Sequence, residues 1–171
     1  MQYGFLPALL VLLLVAQVAG AGENEALEFR RIDPPTLNRH PFYSQVTVVQ
    51  GDAKHIYVAG QTDRAVDYKF GDNACRHDDW RGQYIGVHEN VGKALAAAGA
   101  TWDDVVFIRR FVTDMKGFRS VMGDKENPPP KLWKNRRPPP STLIQVVALS
   151  EPCQLLEVDV FAVVTEDSAS E

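Results

Sequence analysis

Two apolar runs near the C-terminus constrain this chain most. Residues 141–149 (Ser-Thr-Leu-Ile-Gln-Val-Val-Ala-Leu) follow a triple proline, and Leu155 to Val164 follow a short polar break. Both are rich in Val, Leu and Ile and bounded by turn-forming residues, the pattern of buried strands. The short break between them predicts a hairpin. Glu157 and Asp159 stand two residues apart in the second run, so on a strand they share a face. Carboxylates inside an apolar strand pair are costly unless something satisfies them. One face of this pair is therefore expected to be a polar pocket or a subunit interface.

The remaining elements follow in order. Residues 22–40 are polar with two prolines and predict an extended lead-in. Phe42 to Val49 alternates as a strand, Gly51-Asp52 signals a turn, and His55 to Gly60 forms the second arm of an expected hairpin. Gln61 to Asp79 has little periodicity and predicts a loop long enough to suggest function or mobility. Asp78 or Asp79 is placed to cap a helix in which Trp80, Tyr84, Val87, Val91, Leu95 and Ala98 recur at helical spacing, with Gly99 as its stop. Gly86 and Gly92 lie inside it, and close packing on a sheet would explain them. Val105 to Val112 reads as a strand. Gly117 to Asp124 reads as a short helix with Phe118, Val121 and Met122 inward. A basic, proline-rich loop from Lys125 to Pro140 is stiff and excluded from any sheet interior. The order β-β-α-β-α-β-β predicts an α+β fold, a mixed sheet with two helices on one face. The opposite face keeps apolar residues, which predicts oligomerisation.

At 171 residues the chain suits one domain. Its formal net charge of −4 and its lack of a basic face argue against nucleic acid as a partner. Residues 1–21 read as a signal peptide: an apolar run from Leu6 to Val18, then Ala19-Gly20-Ala21 as an A-x-A cleavage site. The first four residues carry no Lys or Arg, which departs from the usual pattern. The rival reading, an uncleaved anchor, needs ~20 apolar residues, and this run is shorter. The mature protein is thus expected to be periplasmic or secreted, without a membrane segment. In such a compartment Cys75 and Cys153 can form one disulfide or stay as two free thiols.

Most polar residues have a plain structural reading. His40, His55, His77 and His88 lack metal-ligand spacing, and no metal or other cofactor is expected. Ser141 has no adjacent histidine that would suggest a nucleophile. Arg109 and Arg110 face opposite sides of their strand, so at most one points at a cleft. Arg136 and Arg137 read first as a solvated basic loop.

The ordered motifs resemble the Rid (YjgF) family of imine/enamine deaminases. The passages that carry the likeness are Phe42-Tyr43-Ser44-Gln45, Ile56 to Gln61, Gln83 with Glu89-Asn90-Val91, Ala98 to Val106, and Leu156 to Ala162. The resemblance covers most of residues 41–165, which it marks as the domain, leaving 166–171 as a polar tail. It implies a chorismate-mutase-like fold and a homotrimer with small-molecule clefts between subunits. It further implies that Tyr43 lines the cleft, that backbone groups of Gly60 and Leu143 contact the ligand, and that Glu157 positions a water for attack on an imine carbon. Active members carry an arginine in the pattern P-x-R-[ST], where it binds the substrate carboxylate. Here Ser141 occupies that position, which puts amino-acid-derived imines in doubt and makes Arg136 and Arg137 the first suspects for a replacement cation. The expected function is hydrolysis of an imine, enamine or related C–N bond. The alternative is a non-catalytic small-molecule or protein-binding homotrimer. A ribonuclease role has little support in the charge or the export signal.

Overall fold

The computed structural model describes residues 26–69 and 71–165. The expected signal peptide (1–21) and the polar tail (166–171) lie outside these residues.

The chain folds as a mixed α+β unit. Its strands are β1 (Glu28–Ile32), β2 (Val46–Gln50), β3 (Lys54–Gln61), β4 (Val105–Val112), β5 (Ser141–Gln145) and β6 (Leu156–Val164). Its helices are α1 (Trp80–Ala97) and α2 (Met115–Met122), with a 3-10 turn at Trp102–Asp104. β1 and β2 form a separate antiparallel ribbon, and the main sheet runs β3-β6-β4-β5.

Both expected hairpins are corrected. β2 pairs with β1, a strand inside the predicted lead-in, while β3 pairs with β6. β5 lies parallel to β4, which separates it from β6. Nor is β5 buried: it is the sheet's edge, and Thr142 to Gln145 are exposed. Short connections favour local pairing, but β6 is buried at seven of its nine positions. A strand of that kind belongs at the centre of a sheet, flanked on both sides.

Side-chain alternation sorts the sheet into two faces. Ile56, Val58, Ile108, Val112, Leu156, Val158 and Val160 join one buried core with Tyr84, Val87, Val91 and Leu95 of α1 and Phe118 and Val121 of α2. The opposite face carries Tyr57, Phe161, Phe107, Arg109 and Asp159, and Tyr57 is 71% exposed there. This is the apolar face that the sequence leaves without helices.

Caps define both helices. The Asp79 carboxylate accepts from Gly82 N at 2.9 Å, and that of Asp114 from Gly117 N at 2.8 Å. At the end of α1, Gly99 has φ +75°, with Gly99 N bonding Ala96 O at 3.0 Å and Ala100 N bonding Leu95 O at 2.9 Å. Those two bonds make a complete Schellman closure. Gly86 serves a different neighbour from the expected sheet. A Cβ there would lie 1.9 Å from Asp63 Oδ1 and 2.4 Å from Arg76 Nη2, so the helix is bare where the 61–79 loop's ion pair rests on it.

Candidate functional site

Gln83 and Asn90, both inside the motif on α1, act as loop anchors. Gln83 is fully buried. It donates to His77 O at 2.9 Å and Cys153 O at 2.7 Å, and accepts from Leu155 N at 2.8 Å. Asn90 donates to the carbonyls of Thr62 and Arg64 at 2.9 and 3.0 Å. Between them they fix the loop after β3 and the loop before β6. A disulfide joins Cys75 in the first loop to Cys153 in the second, with their Cα atoms 5.9 Å apart.

A cavity of ≈ 640 Å³ opens on the helix side of β4 and β5. Tyr43, Ser141 and Leu143 line it. α1 and α2 contribute Tyr84, Phe118 and Met122, and the proline-rich loop supplies Leu132, Trp133 and Pro128 to Pro130. That loop is a fixed wall. Asp103 accepts from Lys134 N at 3.0 Å and Asn135 N at 3.2 Å, while Ser44 N and Oγ bond Pro138 O at 3.1 and 2.8 Å. His40 stacks on Tyr43 with ring centroids 4.2 Å apart.

Gly60 and Glu157 are elsewhere. Parallel register pairs Ser141 with Ile108 and Leu143 with Arg110, so both lie on the helix face of the sheet. Glu157 opposes Phe111 across β4 and lies on the other face. Within one subunit the two halves of the expected site are thus separated by the sheet. Glu157 lies against Gly60, where a Cβ would stand 1.8 Å from Oε1. Only glycine lets the carboxylate rest on that backbone. No hydrogen-bond donor among the described residues reaches Glu157. Burial, then the Asp159 charge, raises its pKa above the ordinary carboxylate range, against the pull of Arg64.

The two arginines of β4 part company, as alternation requires. Arg109 makes a forked ion pair with Asp159, at 2.9 Å from Nε to Oδ1 and 2.7 Å from Nη2 to Oδ2. Arg110 enters the cavity, where Nη1 donates to Ser141 Oγ at 2.6 Å. Its Nε is buried with no partner, and no carboxylate among the described residues pairs with it. Burial lowers its pKa, opposed only by nearby Tyr84. Beneath it, His88 is pushed down to about 3, first by burial and then by the Arg110 charge.

The two suspected replacement cations also separate. Arg137 binds Asp33 at 2.6 Å. Arg136 lines the cavity with its guanidinium 3.8 Å above the Phe29 ring. Sequence alone does not distinguish Arg110 from Arg109. Its signal was parity with Ile108 and Val112, two apolar neighbours on the same face. Among the described residues no cluster of metal-ligating side chains occurs, and no helix is long and apolar enough to cross a membrane.

Residues 37–164 match the family model described as Endoribonuclease L-PSP. Among solved structures, YyfB from Yersinia pestis, described as a protein of unknown function of the conserved Rid protein family, is 24% identical. The match covers 80% of this chain and 98% of that one, with a TM-score of 0.64. YyfA from the same organism is 24% identical over 80% and 100% of the two chains, with a TM-score of 0.51. NMB1025 of Neisseria meningitidis, a YjgF family member, is 16% identical over 81% and 97%, also at 0.51. At these identities the likenesses establish the fold. No curated protein sequence matches. Because the matched segment runs from before β2 to the end of β6 and takes in both helices and every strand of the main sheet, the chain belongs to the Endoribonuclease L-PSP family, that of the Rid and YjgF proteins.

Proposed function

We propose that this protein is an exported homotrimeric hydrolase that opens an imine, enamine or related C–N bond of a small molecule. One observation carries the reading: Glu157 is a half-buried carboxylate with a raised pKa, no hydrogen-bond donor among the described residues, and a backbone glycine beneath it. Its lone pairs are available to a water, and a raised pKa makes it a stronger base than an exposed carboxylate. Glu157 takes a proton from water as the oxygen attacks the C=N carbon, and that proton passes to the nitrogen. The carbinolamine then expels ammonia and leaves a carbonyl product. None of these steps needs a covalent enzyme intermediate.

The division of the site between two sheet faces supports a cleft between subunits. The free edge of β5, with the cavity behind it, supplies Tyr43, Ser141 and Leu143 from one subunit. Gly60 and Glu157 come from the next. The exposed aromatic face around Tyr57 and Phe161 is the surface for trimer contact. Export fits the Cys75–Cys153 bond, which persists in oxidising compartments.

Ammonia release from freshly generated imines tests the reading. Glu157→Gln is expected to lower release by about a hundredfold or more while the mass in sedimentation equilibrium stays that of a trimer. Full activity in Glu157→Gln rules out this mechanism. A wild-type trimer silent on every imine, yet stabilised by ligands, supports the non-catalytic binding protein instead.

A further inference from the structure

We propose that the helix-side cavity binds a bulky apolar molecule bearing one carboxylate, and that Arg110, with Ser141, receives that carboxylate. The inference rests on the reading above in taking the cavity as the substrate half of the cleft, and it adds the class of molecule. It also reverses the expectation drawn from Ser141. The position lacks its arginine, but a guanidinium reaches it from the neighbouring strand.

A buried cation is costly unless an anion or several acceptors meet it. Among the described residues Arg110 has a single acceptor, Ser141 Oγ, and its buried Nε has none. The groups around it do not compensate: Tyr84 is a phenol whose pKa burial raises, and His88 is neutral. Ser141 accepts from Arg110, so its own proton is free to donate onward. Guanidinium and hydroxyl together offer donors to both oxygens of one carboxylate, a geometry that suits arginine.

The rest of the cavity favours the same charge. No acidic side chain lines it, while Arg119, Lys131 and Arg136 do. Walls of low polarity strengthen the field of such groups. Those walls also set the size of the ligand. Phe118, Met122, Leu132 and Trp133 with the Pro128–Pro130 run enclose ≈ 640 Å³, within the range of roughly 300–1,000 Å³ that holds drug-sized ligands. An imino acid of a few heavy atoms would leave most of that apolar surface wet. An aryl or long alkyl carboxylate would cover it.

The probes are 2-naphthoate and its neutral isostere 2-naphthamide, titrated calorimetrically into the folded protein. In wild type the acid is expected to bind about tenfold tighter or more. Arg110→Met should bring the acid down to the level of the amide and leave the amide unchanged. Ser141→Ala should lose part of the preference. Equal affinity of acid and amide in wild type, or no saturable binding of the acid at millimolar concentration, overturns the proposal. Both results are independent of whether Arg110→Met folds. Glu157→Gln separates this inference from the hydrolase reading. If turnover survives that substitution while the acid preference stands, the hydrolase reading fails and the site holds. If turnover depends on Glu157 and the preference is absent, the site fails and the hydrolase holds.

Discussion

Arg109 and Arg110 are consecutive, identical in chemistry, and opposite in every consequence. Arg109 lies on the open face, forked onto Asp159 and 5.4 Å above the Phe161 ring. The Asp159 hydrogen bonds and charge raise its pKa. Arg110 lies on the helix face with no anion, and burial lowers its pKa. The first charge is already neutralised by the fold and can serve only structure or subunit contact. The second is held uncompensated in an apolar cavity, an arrangement that folding alone does not favour. The pair shows how a strand's alternation can turn one dipeptide into a structural ion pair and a candidate ligand contact.

Acidification should give the largest effect, and it acts on the Arg110 side. The folded pKa of His88, about 3, lies below the unfolded value of about 6.5. The unfolded chain therefore takes up the proton first as pH falls. Stability is expected to drop between those two values, on the order of a few kcal/mol across the window. Urea melts against pH should show it. His88→Gln should flatten the profile, and Arg110→Met should make it shallower because one cause of the depression is removed. An equal change in Arg109→Met would break the comparison.

Next comes turnover. Loss of the base in Glu157→Gln should lower kcat by about a hundredfold or more. The same substitution should slightly stabilise the protein at neutral pH. A carboxylate whose folded pKa is raised penalises the folded state above that pKa, and the gain from Gln disappears as pH falls through it. A gain that persists in acid would contradict the burial of Glu157.

Smaller again is the contrast between the arginines themselves. Arg109→Met strands the nearly buried Asp159 and should cost about 1–3 kcal/mol in denaturant unfolding. Arg110→Met removes an unpaired cation and should be neutral or stabilising. Equal losses would mean that Arg110 has a compensating partner after all. Smallest is Thr142→Ala, which should stay within about 0.5 kcal/mol of wild type and leave the preference for 2-naphthoate intact. Thr142 pairs with Arg109 in register, so it faces away from the cavity.

Local signals in the sequence were sufficient for α1 and for the extent of β3, β4 and β6, while α2 starts two residues before the expected Gly117 and ends at Met122 instead of Asp124. Asp79 and Gly99 act within a turn of their own positions, so the ends of α1 could be read directly, whereas the cap of α2, Asp114, emerged only with the structure. Strand partnership could not be read directly. The short links at Gly51-Asp52 and before Leu155 suggested hairpins, but β6, buried at most of its positions, takes a central place between β3 and β4. β1 was hidden because Glu28 to Ile32 carries two arginines in a polar stretch, and its strand forms by pairing with β2. At the site, Tyr43, Ser141 and Leu143 meet because their motifs flank one cavity. Glu157 is on the far side of the sheet, a fact that depends on which strand lies between. Arg110 was narrowed to one of two, and the choice needed the face that the helices cover.

The Cys75–Cys153 bond spans 78 residues of sequence, and the ring it closes contains both helices, β4, β5 and the proline-rich loop. Tension applied between the two ends of the chain passes from β3 through the sulfurs into β6. Arg110, Ser141 and Leu143 lie inside the ring and bear no load. Stretched under oxidising conditions, the protein should fall short of its reduced contour length by roughly 260–280 Å. The cavity's own strands would then be mechanically silent.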